Sequence, residues 1–184
     1  PVAEIIARDR QVSGEPTAAP ALPVGEISRL LRAARSVEEV AGVLVEMVAN
    51  LVPRVLLLWG RAGWLYGFAS RGMNLEEVKL LTLEIPARFV RELCGSELGI
   101  DGYVGPPGEG ELVRRFYEIL GGSPSEIVVV AAYVTADDLW LLYADAGTGP
   151  LPPCERRLLD VLLSRSAARA DFLMQQTGGE APPT

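Results

Sequence analysis

Two apolar segments near the C-terminal end constrain the fold of this chain more than any other feature. Residues 127–134 read IVVVAAYV and residues 139–144 read LWLLYA, with only the four residues 135–138 between them. A connection this short makes the two strands antiparallel neighbours. Both strands are apolar on both faces, whereas an antiparallel hairpin usually leaves one face polar. The sequence therefore predicts a sheet that further layers cover on both sides.

The N-terminal half opens with an amphipathic helical region. Apolar residues at helical spacing over 27–34 predict a first helix. Ser36 and Glu39 then form a capping box, which predicts that a second helix begins there. This helix extends to residue 51 and ends before Pro53, because the residue before a proline avoids helical backbone.

The remaining elements follow from short apolar runs and from Gly and Pro. We predict strands at 54–59, 64–70 and 81–85, and helices at 87–94, 111–120 and 153–175. The segment 95–110 is predicted to be a loop with a brief extended piece around Tyr103 and Val104. The order predicts an α+β sandwich, a central antiparallel sheet with helices on both faces.

Composition divides the chain into three parts. Residues 1–25 are an N-terminal segment that ends in a linker rich in Pro and Ala, which suggests a further domain upstream. Residues 26–176 are predicted to form the folded domain. Residues 177–184 read TGGEAPPT and are predicted to be a disordered tail.

Charge and hydropathy exclude two classes of partner. The chain has 24 acidic and 17 basic residues, a formal net charge of −7, and no basic stripe, so we expect no nucleic-acid partner. No apolar run approaches the ~18 residues needed to cross a bilayer, so we expect no membrane insertion. With only two cysteines, a reducing cytoplasm is the expected location.

The sequence lacks the residues that most catalytic and metal sites use. It has no histidine, which excludes Ser-His-Asp and Cys-His arrangements. Cys94 is predicted to be a small buried hydrophobe and Cys154 an incidental thiol. Asp137 and Asp138 are predicted to be turn residues that bond their own backbone, and Asp145 ends a strand, so no metal cluster is expected. We therefore predict neither an enzyme nor a cofactor site.

The order of the predicted elements and three sequence segments resemble the GAF domain family over residues 26–175. These segments are FASRG at 68–72, the hairpin IVVVAAYVTADDLWLLYADAG that includes Asp145, and the segment GPLPPCERRLLDVLLSRSAARADFL at 149–173. The resemblance implies a six-stranded antiparallel sheet with the first and last helices packed together on one face. On the other face it implies a pocket roofed by the mid-chain helices and loops.

The ligand signatures of that family do not fit this chain. The cyclic-nucleotide signature cannot be placed, since the single lysine, Lys79, lies in the wrong context. Haem-binding members generally need a histidine, and bilin-binding members need a reactive cysteine, usually with a histidine nearby. The resemblance therefore implies none of these three cofactors.

Aromatic side chains supply the candidate binding site. Phe89, Tyr103, Phe116 and Tyr133 are predicted to line a pocket beneath the loop 102–110, with ordinary core packing as the alternative. Three tryptophans, Trp59, Trp64 and Trp140, are assigned to packing or to an interface.

Three functions remain open at this point. The first is a non-catalytic regulatory module that binds a protein partner or itself, as a homodimer through helices 36–51 and 153–175. The second is a sensor that binds a small molecule between the sheet and the segment 95–120. The third is a roadblock-like regulator of small GTPases, which shares the helix-flanked sheet but lacks the extra helices predicted between the third strand and the last hairpin.

Overall fold

The computed structural model describes residues 24–73, 82–95, 102–153 and 156–178, which contain five helices and six strands. These are α1 (Val24–Ala33), α2 (Val37–Ala49), β1 (Arg54–Arg61), β2 (Trp64–Arg71), β3 (Glu84–Pro86), α3 (Phe89–Cys94), β4 (Tyr103–Gly105), α4 (Glu111–Leu120), β5 (Ile127–Tyr133), β6 (Asp138–Asp145) and α5 (Arg156–Gln176). Their order is the predicted one. Most of the predicted linker and tail lies outside the described residues, so the domain limits stay a prediction.

All six strands form one antiparallel sheet in the order β3-β2-β1-β6-β5-β4. The central pair is β1 and β6, which align without interruption from Arg54 opposite Asp145 to Arg61 opposite Asp138. The two edge strands, β3 and β4, have only three residues each. The predicted fold class is confirmed.

Each face of the sheet is covered by its own hydrophobic core. Because side chains alternate along a strand, Val55 and Leu57 of β1 point to one face while Leu56 and Leu58 point to the other. The first face packs against α1, α2 and α5 and is here called the terminal-helix face. The second packs against α3 and α4 and is called the aromatic face. The sheet is therefore dry on both sides, as the closing hairpin predicted.

The predicted helix boundaries have clear local causes. Ser36 caps α2, because its Oγ accepts a hydrogen bond from the Glu39 N–H at 3.2 Å. Glu39 Oε2 accepts from the Arg35 N–H at 2.7 Å, one residue before the N-cap, so the return bond of the predicted capping box is made to the neighbouring N–H instead of that of Ser36. Helix α4 ends at Gly121, which adopts the left-handed backbone (φ +76°) that favours glycine.

One arginine attaches α1 to α5. The Arg169 guanidinium donates hydrogen bonds to the carbonyl oxygens of Leu31, Arg32 and Ala34 at 3.1, 3.2 and 2.7 Å. These carbonyls end α1, where unpaired acceptors and the negative end of the helix dipole favour a cation. The first and last described helices are therefore connected directly, as the family resemblance implied.

None of the described helices is long and apolar enough to span a membrane.

Candidate functional site

Aromatic rings fill the space between the sheet and the helices α3 and α4. The Phe89 and Phe116 rings are fully buried and in contact, with centroids 4.8 Å apart. Phe116 also meets the Tyr143 ring of β6 edge-on at 5.3 Å. These contacts are typical of aromatic packing in a core. Where the predicted pocket was centred, the described side chains therefore form a close-packed cluster.

The structure brings together only part of the predicted site. Tyr103 is half-buried on the edge strand β4, and its hydroxyl donates a hydrogen bond to the Pro106 carbonyl oxygen at 2.5 Å. Tyr133 is 75% exposed and lies apart from Phe89 and Phe116. Alternation does place Tyr133 on the aromatic face, but Ala131 is the last residue of β5 that packs against that core. Ligand binding by the four aromatic residues stays a prediction.

A buried ion pair lies at the edge of the aromatic face. Asp145 is fully buried, and its Oδ1 lies 3.3 Å from Arg54 Nε, in a geometry that falls short of a hydrogen bond. The carboxylate accepts hydrogen bonds from the Tyr143 hydroxyl and the Gly147 N–H, both at 2.6 Å. Arg54 also donates to the Leu120 carbonyl at 3.0 Å, at the C-terminal end of α4. This cluster connects the centre of the sheet to the helix above it.

Sequence reasoning missed this cluster, because it treated Asp145 only as the end of a strand. A signal was present: Arg54 opens the first apolar strand and Asp145 closes the last. If those two strands are antiparallel neighbours, their opposite charges lie at the same end. Only the strand order, which puts β1 beside β6, shows that they meet.

Burial raises the pKa values of the hydroxyl and thiol groups of this face, so they keep their protons well above neutral pH. It raises the pKa of Tyr143 well above its ordinary value, and the nearby Tyr117 and Asp145 act in the same direction. Burial likewise raises the pKa of Tyr117, and it raises the pKa of Cys94 to about 11. A thiol with so high a pKa is a poor nucleophile. Cys94 is buried as predicted, while Cys154 lies outside the described residues.

An open cavity of about 740 Å³ lies along the flank of α4. Its described lining comes from the loop 107–110, from the turn 121–123 and from one side of α4, where Val113 and Tyr117 reach it. None of the four predicted aromatic residues belongs to that described lining. The cavity therefore differs in position from the predicted pocket, although both lie within the same mid-chain segment.

A second buried aspartate lies at the opposite end of the β1–β6 pair. Asp138 Oδ1 accepts a hydrogen bond from Trp59 Nε1 at 2.9 Å and lies 3.1 Å from Arg61 Nε. Its Oδ2 accepts from the Thr135 hydroxyl at 2.9 Å. The expectation that Asp138 bonds its own backbone is wrong, because Thr135 Oγ1 accepts the turn N–H groups of Asp137 and Asp138 instead. Among the described residues, no group of three or more His, Cys, Asp or Glu could hold a metal ion.

The terminal-helix face combines a closed core with an exposed outer surface. Trp59 and Trp140 are buried and pack edge-on at 6.1 Å, whereas Trp64 is exposed. On the solvent side of α5, Val161 and Phe172 are 45% and 48% exposed. Between α1 and α2 lies a groove of about 550 Å³ with mostly apolar walls.

The comparisons with known proteins identify the fold. No family model matches the chain, and no curated protein matches its sequence. Among solved structures, residues 122 to 287 of a methyl-accepting chemotaxis protein superimpose with a TM-score of 0.60 at 14% identity, covering 84% of this chain and 97% of that one. The GAF domain of a phosphoenolpyruvate-protein phosphotransferase from Coxiella burnetii gives 0.60 at 12% identity, covering 85% and 95%.

A pigment-binding domain has the same architecture. The phycocyanobilin-bound GAF domain of a cyanobacterial phytochrome gives a TM-score of 0.56 at 14% identity, covering 87% of this chain and 96% of that one. Together with the strand order and the two helix layers, these likenesses show that the chain has the GAF fold. The resemblance drawn from the sequence is therefore confirmed at the level of the fold.

Proposed function

We propose that this chain is a non-catalytic regulatory module of a larger bacterial signalling protein. In this proposal it acts through protein contacts made by its terminal-helix face, first of all with a second copy of itself. The observation that carries the proposal is the exposure of two large apolar side chains, Val161 and Phe172, on the solvent side of α5.

The similar structures support this role. The chemotaxis protein and the phosphotransferase that share the fold carry it within longer signalling or regulatory polypeptides, as their names indicate. The raised pKa values of Cys94, Tyr117 and Tyr143 leave no activated nucleophile among these buried groups. The helices α3 and α4 lie between β3 and β5. They are the extra helices that were expected to distinguish this fold from the shorter roadblock type.

Light scattering over a concentration series tests the proposal. We expect a dimer that dissociates on dilution, because the exposed apolar area on α5 is small for a permanent interface. Phe172→Glu should abolish the dimer, since burying two carboxylates in the contact is costly. Ile119→Glu is the matched control, because Ile119 is a similarly exposed apolar residue on α4.

Two outcomes contradict the proposal. A strict monomer at several hundred micromolar excludes self-association through this face. If Phe172→Glu and Ile119→Glu weaken the dimer equally, the contact does not lie on the terminal-helix face.

A second candidate function, a small-molecule sensor, is favoured by the cavity on α4. Its volume of about 740 Å³ falls within the range of ligand sites. Tyr117 lines it, and the Tyr117 hydroxyl interacts with Tyr143 and Asp145. A bound molecule that shifts Tyr117 would therefore act on the cluster that joins α4 to the sheet.

Thermal shifts across a metabolite panel test the sensor function. A ligand that raises the melting temperature of the natural chain should fail with Glu118→Trp, because Glu118 lines the cavity. Arg115→Trp is the control, since Arg115 lies on the same helix outside the described lining. A shift that survives Glu118→Trp places the ligand elsewhere.

A further inference from the structure

The groove between α1 and α2 combines an apolar lining with negative charge. Its apolar side chains include Leu30 of α1 together with Val43 and Met47 of α2. Its charged side chains are those of Glu39 and Glu46, and the described lining contains no basic residue. Both glutamates are exposed. An occupant that complements the groove therefore brings apolar side chains together with positive charge.

A glycine of α2 lies in this groove, between the two glutamates in the sequence. A Cβ atom added at Gly42 would meet nothing outside its own helix within 4 Å, so the packing of the described domain does not require a glycine there. Its backbone is helical, unlike that of Gly63 and Gly95, whose positive φ favours glycine. Glycine also weakens a helix relative to alanine, because it loses more backbone freedom on folding. The missing side chain thus keeps open a space that another segment can approach closely.

Residues 1–10 lie outside the described residues, but their sequence has the combination that the groove calls for. They read PVAEIIARDR, in which the valine and both isoleucines share one face at helical spacing. As a helix, the segment would carry Arg8 and Arg10 on the two flanks of that face. Of its two acidic residues, the first would fall on the opposite side and the second would follow the apolar residues at the end of the face.

The connection between this segment and α1 is long enough to reach the groove. Residues 11–23 can span up to about 40 Å when extended, since each residue adds about 3.3 Å. Helix α1 has 10 residues and is therefore about 15 Å long. The groove lies beside its last turn, where Leu30, Ala33 and Ala34 line it. The segment can therefore fold back along α1 within the same chain.

We propose that residues 1–10 bind in the α1–α2 groove of their own chain, with the isoleucines beside Gly42 and the arginines beside Glu39 and Glu46. The groove is then covered in the free chain and opens only when this segment leaves it. The groove is separate from the outer side of α5, so this binding does not depend on the proposed dimer.

A disulfide placed across the groove tests the position. In a Cys154→Ser background, mild oxidation of Ile6→Cys/Gly42→Cys should link the two residues within one chain. The control Ile6→Cys/Ala168→Cys, whose second site is exposed on α5 outside the described groove lining, should link at least about tenfold more slowly. The remaining thiol, Cys94, is buried. Non-reducing electrophoresis separates links within one chain from links between chains.

Filling the open space tests the contact at the glycine. Trypsin cleaves after arginine, so residues 1–10 should be cut slowly while they occupy the groove. Gly42→Leu should speed this cleavage by about tenfold, because it raises the population of the open state. Glu38→Leu is the matched control, since Glu38 is an exposed residue of the same helix outside the described lining. Mass spectrometry follows the release of the N-terminal peptide.

Removing the two negative charges tests the electrostatic part. Glu39→Gln/Glu46→Gln should speed the same cleavage by about threefold, since exposed ion pairs contribute little each. Glutamine keeps a side-chain oxygen that can still accept from the Arg35 N–H, so the start of α2 is retained. Glu38→Gln is the control and should leave the rate unchanged.

The outcomes decide between occupants of the groove. A link within one chain at residue 42, together with faster cleavage in Gly42→Leu, supports the proposal. Links that form between chains overturn it and assign the groove to a second copy. Equal rates of linking at residues 42 and 168, or a cleavage rate that none of the groove variants changes, also overturn it. Circular dichroism verifies that each variant is folded, and Gly42→Ala, which fills less of the space, should give a smaller increase in cleavage than Gly42→Leu.

Discussion

The two ends of the β1–β6 pair have the same chemistry in different surroundings. At one end Arg54 is paired in register with Asp145, and at the other Arg61 is paired with Asp138. Both aspartates are buried, and each accepts a hydrogen bond from an aromatic side chain, Tyr143 or Trp59. Because the two aspartates are seven residues apart on β6, they point to opposite faces of the sheet.

The arginines make the difference between the two ends. The Arg54 side chain is only 14% exposed and also holds the last carbonyl of α4, whereas the Arg61 side chain is 46% exposed. When a buried charge loses its partner, water cannot take the partner's place, whereas water can solvate a half-exposed charge. The same Arg–Asp pair is thus buried on both sides at one end of the strands, whereas at the other end a half-exposed arginine meets a buried aspartate.

The largest effect is expected at the buried end. Asp145→Ala should lower the free energy of unfolding by about 3–5 kcal/mol, because Arg54 and the Tyr143 hydroxyl lose their partner inside the core. Urea denaturation measures the change. A loss below about 1 kcal/mol would show that Arg54 reaches water or another acceptor, and the contrast between the two ends would disappear.

A smaller effect is expected at the other end. Asp138→Ala should cost about 1–3 kcal/mol, mainly because Trp59 Nε1 is left without its acceptor while Arg61 turns to the solvent. Arg61→Gln is the matched control and should cost less than about 1 kcal/mol, since half-exposed ion pairs contribute little. If Arg61→Gln proved as costly as Asp138→Ala, the ion pair would be the dominant contact at this end.

The smallest effect is the pH dependence of stability that the buried groups of the aromatic face cause. The unfolded Cys94 thiol loses its proton near its ordinary pKa of 9.0, while the folded one keeps it to about 11. The unfolded chain then binds fewer protons, so stability should fall as the pH rises from 9 towards 11. The raised pKa values of Tyr117 and Tyr143 act in the same direction above pH 10.

Cys94→Ala isolates the contribution of the thiol. The variant should lose the part of the decline in stability that begins near pH 9, whatever its stability at pH 7. Urea denaturation at pH 7, 9 and 10 provides the comparison. An unchanged pH dependence would mean that Cys94 titrates at the same pH in the folded and unfolded chains.

Local signals in the sequence predicted the elements well, but they predicted the site only in part. The Ser36 capping box, Pro53 and Gly121 act through their own backbone and near neighbours, so each could be read without the fold. The aromatic residues Phe89 and Phe116 were correctly grouped, because both belong to the mid-chain helices. Tyr133 could not be placed, since only the tertiary structure shows that packing on the aromatic face ends at Ala131 of β5.

The sequence by itself determined that this chain forms a sheet covered on both sides. Strands that are apolar on both faces are stable only where both faces are removed from water. Only the tertiary structure decided which strands are neighbours, and therefore that Arg54 meets Asp145 and that α5 keeps a second side for solvent. Hydrophobic burial is largely non-directional and is encoded residue by residue, whereas the meeting of two charges 91 positions apart depends on strand order and register.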